Sequence, residues 1–332
     1  MGLQAELLES AVALERHAGA WDALAVECGR PYCAPGWMLS WLRAAAPPGA
    51  LLRACVVHDG AELVGIAPFW TDADGRYALL AERTAYPLEP LGLEGRGAES
   101  AAIFAELLAE ARPRPRELAL TGVPRDSHWP RLIAERWPAS QPLSITRTRE
   151  EPVPTVALRH PSLAAWLATR SRNFRQQLGR GRRQLEEEGA EFRISAADEL
   201  DRDIDSLARL HHARWSARGG SRALDTRMEA MLKLAGRELG RDRFRLLSID
   251  VDGVCISAHL FVRAGSTRAY WLGGFDDRWK ACRPSLQILA AAIEDGIACG
   301  DDELELGPGG QDYKYRLADG EDAVAWVTLT PA

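Results

Sequence analysis

The stretch WLGGFDDRWKACRPSLQILAAAIEDG, residues 271–296, decides how the chain is read. It passes from apolar and small residues through a polar loop into an apolar-periodic segment that opens at Pro284, and so predicts a strand, a loop and a helix. Proline costs no hydrogen bond in a first helical turn, because an N–H there has no partner in the helix. Leu286, Leu289, Ile293 and Ile297 then fall on one stripe, as in a helix with one buried face. Lys280, Arg283 and Ser285 cluster where this helix starts. A helix start already carries free N–H groups and partial positive charge. Adding cations there calls for an incoming anion, and strand–loop–helix is a context that binds phosphate. The competing reading is a pair of solvated cations balancing Asp276 and Asp277.

Three strands are expected just upstream, over FRLLSID, VCISAHLFV and TRAYWLG, the first two joined by the tight-turn signal Asp252-Gly253. ELELG and AVAWVTL are expected strands downstream. Before them come a helix opening at Pro161, an arginine-rich helix running to Glu188 with a break at Gly189, and helices over 198–218 and 227–239. On the first of that last pair Leu200, Ile204, Leu207, His211 and Trp215 share a face. The first half predicts a helix over 3–26, with Leu7, Leu14, Trp21 and Leu24 roughly on one face, and a short helix over 36–46. A hairpin turning at Asp59-Gly60, helices over 98–111 and 127–137, and a strand at RELALTGV complete it. Residues 141–158 alternate prolines, charges and β-formers and read as a crossover, with PTVAL opening the second half. The fold class is therefore α/β, a mixed α+β sheet with helices, and 332 residues favour two domains, 1–150 and 151–332.

With 46% hydrophobic and 27% charged residues a sizeable core can form. A net charge of −6 argues against bulk nucleic-acid binding, though not against a local basic patch. No run of about 18 apolar residues predicts a membrane span, and the first residues lack the basic and apolar regions of a signal peptide. Six scattered cysteines without a CxxC pair fit reduced thiols in a cytoplasm, and no zinc or other metal site is expected.

Further stretches carry possible chemistry. In ELGPGGQDYKYRL, residues 305–317, three glycines in four positions permit close backbone approach to a ligand. Lys314 lacks the preceding Gly and following Ser or Thr of a phosphate-binding Walker loop, yet Asp312, Tyr313, Lys314, Tyr315 and Arg316 crowd together behind the glycines. In TRSRNFRQQLGRGRRQLEEEG, six arginines precede the first acid, Glu186. Arg182–Glu186 and Arg183–Glu187 pairs account for the end of that helix. Arg170, Arg172 and Arg175 lack such acids and are open to an acidic substrate, a carrier protein or a nucleic-acid backbone. His259, mid-strand, would be a general base if it faced a cleft and a packing residue otherwise. Cys282 near a helix start has no paired base in the sequence, and no GxSxG elbow or HExxH pair occurs.

Taken in order, WDALAVECGRPYCAPGWMLSWL, VVHDGAELVGIAPFW, SRNFRQQLGRGRRQLEEEG, LARLHHARWSARGG, the stretch from Tyr270 to Gly296, and LELGPGGQDYKYRL resemble the CelD-like, or BioF2-like, branch of the GNAT acyltransferases. The resemblance covers most of the chain. It implies two tandem GNAT-like domains, each a mixed, largely antiparallel twisted sheet flanked by helices, distantly similar to Fem-type aminoacyltransferases. It places the donor site in the C-terminal half. It further implies direct acyl transfer from acyl-CoA or acyl-carrier protein to an amine or hydroxyl acceptor, with His259, Asp276, Tyr313 and Lys314 handling protons and substrate contact. Trp271, Gly273, Lys280, Arg283, Ser285 and Leu286 would hold the donor, and Arg172, Arg175, His211, Trp215 and Tyr270 the substrate. The usual Q/R-x-x-G-x-G/A loop is missing, so CoA and carrier protein stay open as donors. The chain also lacks the long helical hairpin of some Fem-type enzymes that use aminoacyl-tRNA. A tRNA-dependent transferase and a non-catalytic accessory module in polysaccharide or natural-product assembly are the alternatives.

Overall fold

The computed structural model of the chain describes residues 2–216, 221 and 223–332. It separates into two units, Met1–Pro152 with Asp322–Ala332, and Val153–Glu321.

The first unit carries β1 (Gln4–Leu8), α1 (Ala11–Glu15), α2 (Ala18–Glu27), α3 (Pro35–Ala44), β2 (Leu51–Asp59), β3 (Glu62–Thr71), β4 (Arg76–Leu79), β5 (Leu91–Gly92), α4 (Gly97–Glu110), β6 (Glu117–Pro124) and α5 (Trp129–Arg136). Its sheet runs β1-β2-β3-β4-β6, with β5 on β3, and only the β4–β6 pair is parallel. The expected helix over 3–26 is corrected at its start. Residues 4–8 pair antiparallel with β2, Gln4 opposite His58 and Leu8 opposite Ala54. An open strand edge outweighs weak local helix propensity. Residues 141–158, expected as a crossover with PTVAL as the first strand of the second half, hold one long strand, β7 (Leu143–Ala157), which takes in most of PTVAL and starts well before it.

In the second unit follow α6 (Leu163–Ala168), α7 (Arg172–Glu187), β8 (Glu191–Ile194), α8 (Leu200–Ser216), α9 (Thr226–Arg243), β9 (Phe244–Val251), β10 (Val254–Ala264), β11 (Thr267–Phe275), a 3-10 turn over Asp277–Cys282, α10 (Pro284–Cys299), β12 (Glu303–Glu305) and the short α11 (Asp312–Tyr315). The last two residues expected in the helix over 198–218 lie outside the described residues. Here the order is β7-β12-β11-β10-β9-β8, and again one pair, β11–β12, is parallel. Each parallel pair is bridged by one helix, α4 or α10, so one plan occurs in both units. Asp252 and Gly253 both take positive φ, 50° and 73°, as a two-residue hairpin demands. The final strand, β13 (Gly320–Pro331), pairs antiparallel with β6, so Asp322–Ala332 fold with the first unit and not with residues 151–321.

Phe174, Leu178 and Leu185 of α7 join Leu286, Leu289 and Ile293 of α10 in one buried cluster with Leu247, Ile249 and Phe261 of the strands. Fully burying each such side chain contributes roughly 1.5–3 kcal/mol. That cluster fixes the start of α10 relative to β10 and β11.

Candidate active site

The parallel pairing of β11 with β12 covers three residues only, Thr267–Ala269 against Glu303–Glu305. β11 continues to Phe275, while the other chain turns away through Gly307–Gly310, so beyond Ala269 that edge of β11 has no strand partner among the described residues.

Two glycines shape this part of β11. His259 of β10 stands opposite Gly273. A Cβ on Gly273 would lie 2.4 Å from the His259 Nδ1, so only glycine leaves room for the imidazole, which stacks on Tyr270 with ring centroids 5.5 Å apart. A Cβ on Gly274 would lie 2.6 Å from the His211 backbone nitrogen, so this glycine lets α8 close directly onto the strand.

His259 is 2% exposed, and neither ring nitrogen has a hydrogen-bond partner among the described residues. Burial, with the Arg214 charge adding to it, pushes its pKa down to about 3, so the ring is neutral at pH 7. The Ser285 hydroxyl is likewise buried without a partner. An unsatisfied buried polar group costs roughly 1–3 kcal/mol, and two such groups face one pocket of about 230 Å³.

That pocket is lined by Arg214, His259, Tyr270, Phe275, Lys280, Arg283, Pro284, Ser285, Leu286, Tyr313 and Arg316. Four of these are cations and none is a carboxylate. Among the described residues none of the four forms an ion pair. Arg214 lies over the Phe275 ring at 4.8 Å. Arg283 and Arg316 both donate to the Gln177 Oε1 of α7, the latter at 2.5 Å. Arg283 adopts left-handed backbone angles, φ 55° and ψ 58°, at the N-cap of α10, and no side chain caps that helix start. Burial pushes the phenols of Tyr270 and Tyr313 above their usual range. A neutral hydrogen-bonding floor with a cationic rim suits a ligand that has an apolar or carbonyl-bearing end and an anionic tail.

Of the residues singled out from the sequence, His259, Tyr270, Tyr313, Lys280, Arg283, Ser285 and Leu286 meet in this pocket. The others stand elsewhere. Asp276 caps the 3-10 turn by accepting from the Arg278 N–H at 3.0 Å and pairs with the Arg278 guanidinium at 2.6 Å, which holds its pKa low. Lys314 is buried and donates from Nζ to the Gly307 and Pro308 carbonyls, both at 2.8 Å. Burial pushes its pKa down to about 8. It therefore braces the glycine-rich turn. His211 is buried with Nε2 2.8 Å from the Ser221 hydroxyl, and burial lowers its pKa to about 4. Trp215 packs beside it, ring centroids 6.2 Å apart, and is 38% exposed. Trp271 does not line the pocket, and Gly273 acts on it through His259. Arg172 and Arg175 line a separate shallow hollow on α7.

Sequence reasoning missed Arg214 and Phe275, and noted Arg316 behind the glycines without giving it a place in the site. Arg214 lies one helical turn past His211, a spacing that could have flagged it. Arg316 carries no such signal, since its place depends on how α7 docks. The expected Arg182–Glu186 pair forms at 2.8 Å, whereas Arg183 makes no ion pair among the described residues. Arg170, expected to lack an acid, finds one through tertiary structure in Asp319. Among the described residues no group of three or more His, Cys, Asp or Glu side chains could hold a metal ion, and no helix is long and apolar enough to cross a membrane.

Residues 172–315 match the family model described as Acetyltransferase (GNAT) domain. No curated protein sequence matches the chain. Several solved structures share its fold. FemX superposes with a TM-score of 0.64 at 10% identity, covering 100% of this chain and 98% of its own. The C-terminal domain (DUF2156) of a putative lysylphosphatidylglycerol synthetase from Agrobacterium fabrum gives 0.60 at 12% identity, covering 97% and 93%. A tandem GNAT protein from the clavulanic acid biosynthesis pathway gives 0.51 at 17% identity, covering 98% of both chains. The chain thus has the tandem GNAT fold, and every residue lining the candidate pocket except Arg316 lies within the stretch that the acetyltransferase model matches.

Proposed function

We propose that this protein is an acyltransferase that takes an acyl group from the pantetheine thioester of acyl-CoA or acyl-carrier protein and passes it directly to an amine or hydroxyl acceptor. The observation that carries this reading is the pocket at the start of α10, with four cations, no carboxylate, and two buried hydrogen-bonding groups lacking partners among the described residues. Lys280 and Arg283 bind the donor's phosphates, with the Ser285 hydroxyl as a further donor. Charge-assisted bonds of this kind are about twice as strong as neutral ones. The thioester carbonyl lies beside β11, where a backbone N–H stabilises the developing oxyanion.

His259, neutral at pH 7, serves as a hydrogen-bond partner for the substrate. With a pKa of about 3 it holds a proton too weakly to be an effective base near neutrality. The acceptor nitrogen or oxygen forms its bond to the carbonyl carbon, the C–S bond breaks, the pantetheine sulfur takes up a proton, and the acceptor's proton passes to solvent. Holding thioester and acceptor in line accounts for the catalysis, an effect that reaches roughly 7–11 kcal/mol in well-oriented reactions. Six free cysteines support a reducing compartment, the cytoplasm, where such donors are made.

Thiol release from acetyl-CoA and a long-chain acyl-CoA, screened over amine and hydroxyl acceptors, tests the reading. Acceptor-dependent release that Lys280→Ala/Arg283→Ala reduces at least tenfold supports it. Release indifferent to that double substitution removes the pocket from the account, and a folded protein that releases no thiol from either acyl-CoA with any acceptor points to a carrier-protein donor or to the non-catalytic alternative.

A further inference from the structure

One face of α7 is charged far beyond what its own structure uses. Residues 152–185 hold seven arginines and no aspartate or glutamate, in a chain of net charge −6. Three of the seven are matched by acids: Arg159 by Asp302, Arg170 by Asp319 and Arg182 by Glu186. Arg175 donates to the Arg170 and Ala168 carbonyls at the end of α6. Arg172, Arg180 and Arg183 have neither an ion pair nor a hydrogen bond among the described residues.

These side chains are not scattered. At 100° per residue, Arg172, Arg175, Arg180 and Arg183 fall on one stripe with Gly179 between them, opposite the buried Phe174, Leu178, Gly181 and Leu185. The stripe is about 16 Å long at a rise of ~1.5 Å per residue. Like charges three and four residues apart on a helix repel, so nothing within α7 calls for this arrangement. Gly179 leaves a notch at its centre, because a Cβ there would meet only the Arg183 guanidinium, at 3.7 Å. The stripe also borders the pocket: Gln177 of α7 accepts from Arg283 and Arg316, both of which line it.

We infer that this face of α7 docks an acidic helix of a carrier protein, which delivers its thioester into the neighbouring pocket. The inference deepens the acyltransferase reading and rests on it for the role of the docked partner. Charge complementarity selects the occupant. A membrane-binding face would set apolar side chains beside the arginines, and this stripe has none. Single-stranded RNA would call for exposed aromatic rings on which bases stack, which the stripe also lacks, and the whole chain is net negative. A second helix carrying carboxylates on one side matches a broad face of guanidinium groups with a notch at its centre.

Fluorescence anisotropy with a labelled fatty-acid acyl carrier protein in its apo form, which lacks the phosphopantetheine arm, isolates docking from donor chemistry. Saturable binding by the full chain is expected, falling as salt is raised. Arg180→Glu/Arg183→Glu should weaken it at least tenfold, and Arg180→Lys/Arg183→Lys should retain it, with melting temperatures confirming that both variants fold. Undiminished binding of the reversal variant overturns the proposal, as does the absence of carrier binding, or arginine-dependent binding of total tRNA in its place. Acyl-CoA turnover separates this from the underlying reading. Turnover without carrier docking removes the docking face alone. Arginine-dependent docking without turnover from either donor keeps the face and removes the transferase.

Discussion

His259 is the residue on which the site's energetics and its pH behaviour meet. Its folded pKa, about 3, lies below the ordinary 6.5, so between those values the unfolded chain binds more protons than the folded one. Stability from this group is therefore full above about pH 6.5 and is lost as the pH falls toward 3. His211, lowered to about 4, acts in the same direction. His259→Phe is expected to flatten, without abolishing, the fall in melting temperature between pH 6.5 and 4; an unchanged profile would mean that the ring is not buried and neutral. Arg283 allows a second separation. Glycine at its left-handed angles relieves roughly 1–2 kcal/mol of backbone strain. Arg283→Gly should leave the urea midpoint unchanged or raised while weakening CoA binding at least tenfold by calorimetry. The cations at the start of α10 were legible because proline and periodicity located the helix. The standing of His259 was not, because its burial depends on a missing Cβ at Gly273 on a different strand.

At the scale of one element, α7 holds two glycines that look alike in sequence and differ in the fold. A Cβ at Gly181 would sit 2.4 Å from the Cys282 carbonyl oxygen, whereas Gly179 has open space. Gly179→Ala should therefore stabilise the protein by about 0.5–1 kcal/mol through helix propensity. Gly181→Ala should cost about 1–3 kcal/mol by forcing α7 off the turn before α10. Urea unfolding of the two variants checks the opposite signs. Helices with a strong stripe, such as α8 and α10, were read with nearly correct starts, as was the hairpin at Asp252-Gly253. β1 and the part of β7 before PTVAL were misread for a common reason: each is a strand because of the strand it pairs with, and a partner distant in sequence leaves no local pattern.

For the whole molecule, length and the helix-and-hairpin order of each half point to two domains, but nothing local in the sequence marks where the last strand pairs. Because β13 pairs with β6, with Leu329 opposite Leu118 and Val324 opposite Pro124, a fragment ending at residue 152 should fold poorly. The same fragment with residues 322–332 appended should fold cooperatively. Circular dichroism melts of the two fragments check this, and equal melts would contradict the assigned pairing. The central claim is that the pocket beside α10 receives a pantetheine donor. Its most direct test is a thermal-shift titration with CoA, acetyl-CoA and a long-chain acyl-CoA, run on the native chain and on Lys280→Ala/Arg283→Ala. A ligand at about a hundred times its dissociation constant adds roughly 2.7 kcal/mol of stability. The account predicts a concentration-dependent rise in melting temperature that the double variant loses; a rise of equal size in both proteins would contradict it.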